Sequence, residues 1–210
     1  LLNHTADLWI EKFNNFNRAV EPLEEILTIS PTNARALTSL KQVYIKRRAW
    51  RPLLELLEKE ATATEGPEKL SLLEEMAEIA ADRLSIFEKA VEIWKEVLQL
   101  DADSTKAIDA LEKLTEKLKD WKGLCDTLVL KADKTRDTEE KITLLTKLGT
   151  VCKDRLKDSS GAASAWKKIL ELQPGHTKAI RSLKEAYLLS ENWDALETLY
   201  MESKDYEGLV

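Results

Sequence analysis

The feature that most constrains this chain is a segment that occurs three times in its sequence, 71 to 72 residues apart. The copies begin at Ala19, Ala90 and Ala162 and read AVEPLEEILTISPTNARAL, AVEIWKEVLQLDADSTKAI and AASAWKKILELQPGHTKAI. A fixed period of this length is typical of repeat proteins, in which each unit buries its apolar face only against its neighbours. We therefore expect an array of stacked repeats without a single central core.

Apolar residues recur at helical spacing along nearly the whole chain, and the alternation typical of strands is absent. Pro31 and Pro174 fall where helices should end, because proline has no amide proton and restricts the residue before it. Asp120 and Asn192 precede tryptophans at positions where a short polar side chain can cap a helix. The pattern predicts about twelve helices, paired as 4–14 with 17–29, 33–47 with 50–62, 68–84 with 87–99, 104–118 with 121–134, 139–156 with 160–172, and 176–190 with 193–204.

The other half of the period is repeated as well, since residues 68–73 read EKLSLL and residues 140–145 read EKITLL. The repeating unit is therefore a pair of helical hairpins. We expect one solenoid domain over residues 1–210, made of three double hairpins at approximately 1–62, 63–134 and 135–210. Because the sequence opens on Leu1 without an initiator methionine, we also expect it to be part of a longer array.

The charge and hydropathy of the chain narrow the classes of partner. A formal net charge of −6 over 210 residues argues against nucleic acid or an anionic membrane as the main partner. No apolar run approaches the roughly 18 residues that a membrane span needs, and no signal peptide is visible. We therefore expect no membrane span, and we expect the cytoplasm as the compartment.

The sequence lacks the residue patterns of a catalytic, metal or cofactor site. His4 and His176 are the only histidines, and His176 lies in a turn where we expect a solvated or capping side chain. Cys125 and Cys152 lack the Cys-x-x-Cys spacing, so we expect a small buried thiol at Cys152 and no structural disulfide. We predict that the chain is not an enzyme and holds no cofactor and no metal.

Six tryptophans occur in the chain, and most of them are locked to the repeat. Trp50, Trp121 and Trp193 share one phase of the period, and Trp94 and Trp166 share another. Residues fixed to a structural phase are expected to pack between neighbouring helices, where a large aromatic side chain buries much apolar surface. We therefore expect all six tryptophans to be packing residues instead of a ligand cage.

The hairpin at about 142–174 carries a family resemblance. Leu148-Gly149 matches a small-residue pair at which two helices approach closely, and Cys152 takes a place commonly held by tyrosine. The later matches, which require one residue inserted after Leu156, are Ala162, Trp166 and Pro174. In these residues the chain resembles the tetratricopeptide repeat (TPR) family, in a degenerate form with alternating unequal hairpins. The resemblance implies an all-α fold, a right-handed α-α superhelix (solenoid) of about six antiparallel helix hairpins.

In TPR proteins the first helix of each hairpin lines a concave groove that binds an extended peptide or a helix. The resemblance therefore implies a non-enzymatic protein–protein interaction scaffold. Carried over by register, the candidate groove residues are Arg35, Gln42, Lys46, Glu74, Glu78, Lys106, Asp109, Lys113, Lys117, Thr146, Thr150, Lys178, Arg181 and Glu185. Within this set, the residues near 35–46, 106–117 and 178–185 are mainly cationic. An acidic peptide or helix would therefore be complementary to them.

Two alternatives stay open. Helix tryptophans and the basic cluster of Lys46, Arg47, Arg48 and Arg51 also fit a HAT (half-a-tetratricopeptide) scaffold of an RNA-processing assembly. Alternatively, the segment is a spacer or a self-assembling array, because the open ends of a solenoid can stack on one another. In that case we expect self-association.

Overall fold

The computed structural model describes residues 2–203, and within this range the chain is helical and contains no strand. Its helices are α1 Leu2–Asp7, α2 Phe16–Ile29, α3 Ala34–Arg47, α4 Trp50–Thr62, α5 Gly66–Glu78, α6 Phe87–Leu100, α7 Thr105–Leu118, α8 Trp121–Lys134, α9 Thr138–Val151, α10 Ser159–Leu172, α11 Thr177–Leu189 and α12 Trp193–Ser203. The predicted all-α fold and its twelve helices are confirmed for the described part of the chain. Short connections between successive helices produce antiparallel hairpins.

The chain divides into two compact units, Leu1–Ala107 and Ile108–Val210, and the division falls inside α7. In the first unit, each helix from α1 to α6 packs against the next helix in sequence. In the second unit, α8 to α12 pack in the same sequential order. This nearest-neighbour packing is how repeat arrays are built. The division into three double hairpins stays a prediction.

Between residues 2 and 203, three helices end in a π-helical turn, in which hydrogen bonds span one residue more than in an α-helix. These turns are Leu8–Lys12 after α1, Ile79–Arg83 after α5 and Cys152–Leu156 after α9. Each is followed by a residue in the left-handed conformation, namely Asn14, Ser85 and Lys157 with φ of 47°, 56° and 56°. A π-helical turn accommodates an extra residue. The third turn, Cys152–Leu156, ends at the residue after which the resemblance to the TPR pattern requires an insertion.

The other hairpin connections use a second recurrent turn. Arg48, Lys119 and Glu191 adopt φ of 53°, 57° and 52°, so the helix before each of them ends in a left-handed residue. Helix caps then start the next helices. The carboxylate of Asp120 accepts a hydrogen bond from the backbone N–H of Gly123 at 3.0 Å, and the side chain of Asn192 accepts one from Ala195 at 3.3 Å. The predicted caps are confirmed.

A contact between a tryptophan and a glycine brings α9 and α10 of the second unit close together. Trp166 on α10 is 2% exposed, and its ring lies directly against Gly149 on α9. A Cβ atom built on Gly149 would come within 2.6 Å of Trp166 Cε2, so no larger residue fits without a shift. The predicted close approach at Gly149 is therefore present. Trp94 occupies the equivalent phase in the first unit and is likewise 2% exposed.

The prediction that every tryptophan is a packing residue is wrong for Trp193, whose side chain is 59% exposed. Trp50 and Trp121, which share its phase, are half-buried, and an arginine from the following hairpin lies over each ring. Trp9 is half-buried under Arg18. Within residues 2–203 no arginine or lysine lies over the ring of Trp193. Trp50, Trp121 and Trp193 thus lie at the ends of their hairpins, where the burial of the ring depends on the following hairpin.

Candidate functional site

The candidate groove residues lie on the first helices of the hairpins and remain accessible to solvent. In the first unit they are Arg35, Gln42 and Lys46 on α3, Glu74 and Glu78 on α5, and Lys106 at the start of α7. In the second unit they are Asp109, Lys113 and Lys117 on α7, Thr146 and Thr150 on α9, and Lys178, Arg181 and Glu185 on α11. Glu74, Thr146 and Glu185 are half-buried, and the others are exposed. The opposite faces of the same helices are buried, for example at Leu40, Leu145 and Leu183.

In the first unit, ion pairs join several of these residues across neighbouring hairpins. A guanidinium nitrogen of Arg35 lies 2.7 Å from a carboxylate oxygen of Asp7 on α1. The ammonium of Lys106 lies 2.8 Å from the carboxylates of both Glu74 and Glu78. Hydrogen bonds to Glu74 and then Glu78 raise the pKa of Lys106 above its ordinary value. The two carboxylates on α5 therefore share the single cation at the start of α7, and one negative charge is left over.

The second unit shows the same kind of pairing. Lys153, in the π-helical turn after α9, forms an ion pair with Glu185 on α11. The hydrogen bond from Lys153 lowers the pKa of Glu185. Arg181 lies 3.7 Å from the same carboxylate, and Asp109 lies 2.7 Å from the ammonium of Lys131 on α8. Much of the charge in the candidate groove is thus matched within the chain.

Glu112 organises the largest of these networks, and it was not among the predicted site residues. Its two carboxylate oxygens accept hydrogen bonds from Lys131 at 2.8 Å and from Lys147 at 2.9 Å. Burial alone would raise the pKa of Glu112, but the hydrogen bonds from the two lysines outweigh it and lower this pKa. Lys147 also bonds to Glu116 at 2.9 Å. The network therefore connects α7, α8 and α9.

A sequence signal for this network exists in the repeat register. Lys41 and Glu60, which lie 71 residues before Glu112 and Lys131, form an ion pair in the first unit with the two charges exchanged. A reversal of both charges at one pair of repeat positions indicates that the two positions are in contact. The pair could therefore have been found by comparing the repeats position by position.

A few candidate cations have no matched carboxylate. In the part of the chain that the structure describes, Lys113 on α7 and Lys178 on α11 are exposed and have no hydrogen-bond or ion-pair partner. Lys46 on α3 is in the same situation in the first unit. These side chains are therefore available to an acidic ligand without first losing an internal ion pair.

The first unit also contains an open cavity of about 1110 Å³ between α2, α3, α4 and the start of α5. Its apolar wall includes Leu27, Leu37 and Leu56, and none of the candidate groove residues lines it. Tyr44, which also lines it, donates a hydrogen bond of 2.5 Å from its hydroxyl to Glu24. Burial and the Glu24 carboxylate together raise the pKa of Tyr44. The sequence pattern did not predict this cavity.

Comparison with known proteins gives distant structural likenesses. No protein-family model and no curated protein matches the chain. Solved structures similar to it include MamA, at 17% identity and a TM-score of 0.39 over 99% of this chain and 90% of that chain. YrrB, "a TPR protein with an unusual peptide-binding site", is similar at 15% identity and a TM-score of 0.45 over 85% and 88%. A tetratricopeptide repeat protein from Parabacteroides merdae is similar at 14% identity and a TM-score of 0.45 over 96% and 77%.

With TM-scores below 0.5, these likenesses are distant. The features of this chain that resemble TPR hairpins are its repeated antiparallel hairpins, their sequential packing and the Gly149–Trp166 approach. The helical hairpins of this chain are TPR-like.

The described residues also answer three questions, about a metal site, the role of His176 and a membrane span. Among residues 2–203 no group of three or more His, Cys, Asp and Glu side chains could hold a metal ion. His176 is the N-cap of α11, where its Nδ1 accepts a hydrogen bond from the backbone N–H of Ala179 at 3.1 Å. Of the two roles expected for His176, solvated or capping, the structure shows the capping one. No helix in the described range is long and apolar enough to cross a membrane.

Proposed function

We propose that this chain is a non-enzymatic scaffold, which binds partner proteins through the exposed faces of the first helices of its TPR-like hairpins. The observation that carries the proposal is the two-sided character of these helices. Each buries one apolar face in the array and leaves a polar face accessible, as at Leu183 and Lys178 of α11. A surface of this kind presents side chains to a peptide or helix at spacings that the backbone fixes.

The preferred ligand of this surface is an acidic peptide or helix, and the second unit offers the simplest place for it. Lys113 and Lys178 are exposed there without an internal partner, whereas Arg181 and Lys153 already face Glu185. An acidic ligand at Lys113 and Lys178 gains new charge pairs without disrupting existing ones. Complementary charge of this kind speeds association and selects the partner.

The test is affinity capture from a cell lysate, read by mass spectrometry, with the wild-type chain and the double variant Lys113→Glu/Lys178→Glu as baits. A matched control, Lys122→Glu/Arg136→Glu, makes the same change in net charge at exposed residues outside the candidate groove. We expect one or more proteins to be captured by the wild type and the control and lost with the groove variant. Equal capture by all three baits would contradict the proposed surface.

A second candidate function, self-assembly of the array, is favoured by the exposed ring of Trp193. At the same phase of the repeat, Trp50 and Trp121 are covered by Arg83 and Arg155 from the following hairpin. Lys12 lies 71 residues before Arg83 and occupies the same phase in the first hairpin. A second copy of the chain could therefore place the cation of Lys12 over Trp193, with α1 packed against α12.

Sedimentation velocity over a wide concentration range tests this second candidate. We expect weak, concentration-dependent association that Trp193→Ala and Lys12→Glu each reduce. Lys157→Glu, at an exposed lysine that plays no part in the contact, serves as the control. A wild-type sedimentation coefficient that stays monomeric at every concentration would exclude the contact.

The RNA-scaffold alternative stays a prediction, and the tryptophan beside its basic cluster is not open to a stacking base. RNA-binding surfaces need exposed rings on which bases stack. The ring of Trp50, next to the basic cluster at Lys46, Arg47, Arg48 and Arg51, is covered by Arg83. The cytoplasmic location likewise stays a prediction.

A further inference from the structure

The two cysteines of the chain lie side by side in the second unit. Cys125 is on α8, and Cys152 is the first residue of the π-helical turn after α9. Their sulfur atoms are 3.6 Å apart, and the residues are 8% and 4% exposed. Both are free thiols. They belong to consecutive hairpins, so the pair bridges the junction between them.

The repeat register shows that these two positions do not require thiols. Leu54 lies 71 residues before Cys125, and Ala80 lies 72 residues before Cys152. Both are buried apolar residues of the first unit, 4% and 0% exposed. The fold is therefore satisfied by a plain apolar pair at these two positions. In the second unit the only two cysteines of the chain occupy both of them.

We propose that Cys125 and Cys152 form an oxidation site, which a peroxide converts into a disulfide that links α8 to the π-helical turn after α9. A disulfide bond is about 2.05 Å long, so the sulfur atoms must approach by about 1.5 Å. Rotation of the two side chains and a shift of the turn would have to supply this approach. The bond would join two hairpins that are otherwise held together by packing and by ion pairs.

The chemistry needs hydrogen peroxide as a two-electron oxidant. One thiolate attacks a peroxide oxygen, forms a sulfenic acid and releases hydroxide. The neighbouring thiol, on losing its proton, then attacks the sulfenic sulfur, forms the S–S bond and releases a second hydroxide. In total, two thiols lose two hydrogen atoms, and one peroxide becomes two molecules of water. Because the second sulfur is already adjacent, no other thiol is required.

The surroundings make this site slow to react at neutral pH. Burial raises the pKa of Cys125 to about 12, and the Asp126 and Asp158 carboxylates act in the same direction. Burial also raises the pKa of Cys152, with Asp158 again acting in the same direction. The thiolate is the reactive form, so its fraction and the rate of oxidation rise about tenfold per pH unit below the pKa. Sustained oxidant would therefore be needed near pH 7.

In a repeat array each hairpin is held only by its neighbours, so a covalent bond across one junction resists separation at that point. The disulfide closes a loop from residue 125 to residue 152, and loops of this length restrict the unfolded chain substantially. We therefore expect the oxidised second unit to unfold at a higher temperature than the reduced one.

The experiment is to treat the full chain with hydrogen peroxide near neutral pH and about two pH units higher, and then block free thiols with N-ethylmaleimide. Non-reducing peptide mapping should recover a cross-linked peptide pair containing Cys125 and Cys152, with the loss of two hydrogen atoms. The cross-link should form about a hundredfold faster at the higher pH. The midpoint of thermal unfolding should rise by several degrees and return after reduction.

Cys152→Ala is the control, because alanine occupies the equivalent position 80 in the first unit. This variant should fold as the wild type does and show no thermal shift with peroxide. Two intact thiols after prolonged oxidation of the wild type would overturn the proposal. Separate sulfinic acids, or a disulfide between two molecules, would overturn it as well.

Discussion

The guanidinium carbon of Arg155 lies 4.9 Å from the ring centroid of Trp121, and the two residues belong to consecutive hairpins. Arg83 lies over Trp50 in the first unit at 5.1 Å, one period earlier in the sequence. A cation over an indole ring is attracted by its negative face and also shields the ring from water. This repeated pair explains why tryptophan recurs at a phase that is only half-buried.

We predict that Arg155→Ala lowers the free energy of unfolding by about 0.5–1 kcal/mol. The measurement is urea denaturation within a double-mutant cycle with Trp121→Phe, which weakens the ring as a cation acceptor. Arg136→Ala, at an exposed arginine, should change stability by less than about 0.5 kcal/mol. A coupling energy of zero between Arg155 and Trp121 would show that the contact has no energetic role.

Gly149→Ala should lower the free energy of unfolding by about 1–3 kcal/mol, because the added methyl group collides with Trp166. The loss should occur although alanine is favoured over glycine inside a helix by about 1 kcal/mol. Gly175→Ala is the control, since no atom lies within 4 Å of a Cβ built there. Equal stabilities of the two variants in chemical denaturation would contradict the close approach at Gly149.

Tryptophans at the two repeat phases should respond differently to truncation. Trp94→Ala should cost about 3–5 kcal/mol, as large-to-small changes in a core do, because Trp94 is 2% exposed. Trp193→Ala and Lys113→Glu should each stay within about 0.5 kcal/mol of the wild type. Thermal or urea denaturation of dilute protein, at which self-association is negligible, gives the comparison. A cost for Trp193→Ala that matches the cost for Trp94→Ala would mean that its ring is buried.

Glu112→Gln should make part of the stability insensitive to acid. The pKa of Glu112 is lowered in the folded chain, so its ionised form adds stability above the unfolded-state pKa near 4.3. This contribution is lost as the pH falls through the folded-state pKa. We expect a difference of about 1–2 kcal/mol between wild type and variant at pH 7, which shrinks below about pH 4. A difference that does not change with pH would exclude the charge of Glu112 as its source.

The repeat period and the helical stripes predict the twelve helices to within a few residues, because each repeat is built from local contacts. Local signals also predict the caps at Asp120, Asn192 and His176, since a cap depends on the few residues beside it. The π-helical turns were missed because each lies at the end of its helix, where too few residues follow to show the one-residue shift of the apolar stripe. Pro22 lies inside α2, within the predicted helix 17–29, and its burial against neighbouring helices outweighs the hydrogen bond that it removes.

The candidate groove itself stays a prediction. The repeat pattern separates the accessible side of α11 from its buried side, as Lys178 and Leu183 show. It does not indicate which charges face one another, because contacts such as Lys153 with Glu185 join residues on different helices. For the same reason, the repeat position of Trp193 alone did not predict that its ring is exposed.

The central claim, a charge-guided scaffold surface on the second unit, is tested most directly by the dissociation constant of a captured partner. We would measure it by titration calorimetry for the wild type, Lys113→Glu/Lys178→Glu and the control Lys122→Glu/Arg136→Glu, at low and at moderate salt. The account predicts binding to the groove variant that is about tenfold weaker or worse and less dependent on salt, with the control unchanged. Equal dissociation constants for all three proteins would contradict the account and assign binding to another surface of the chain.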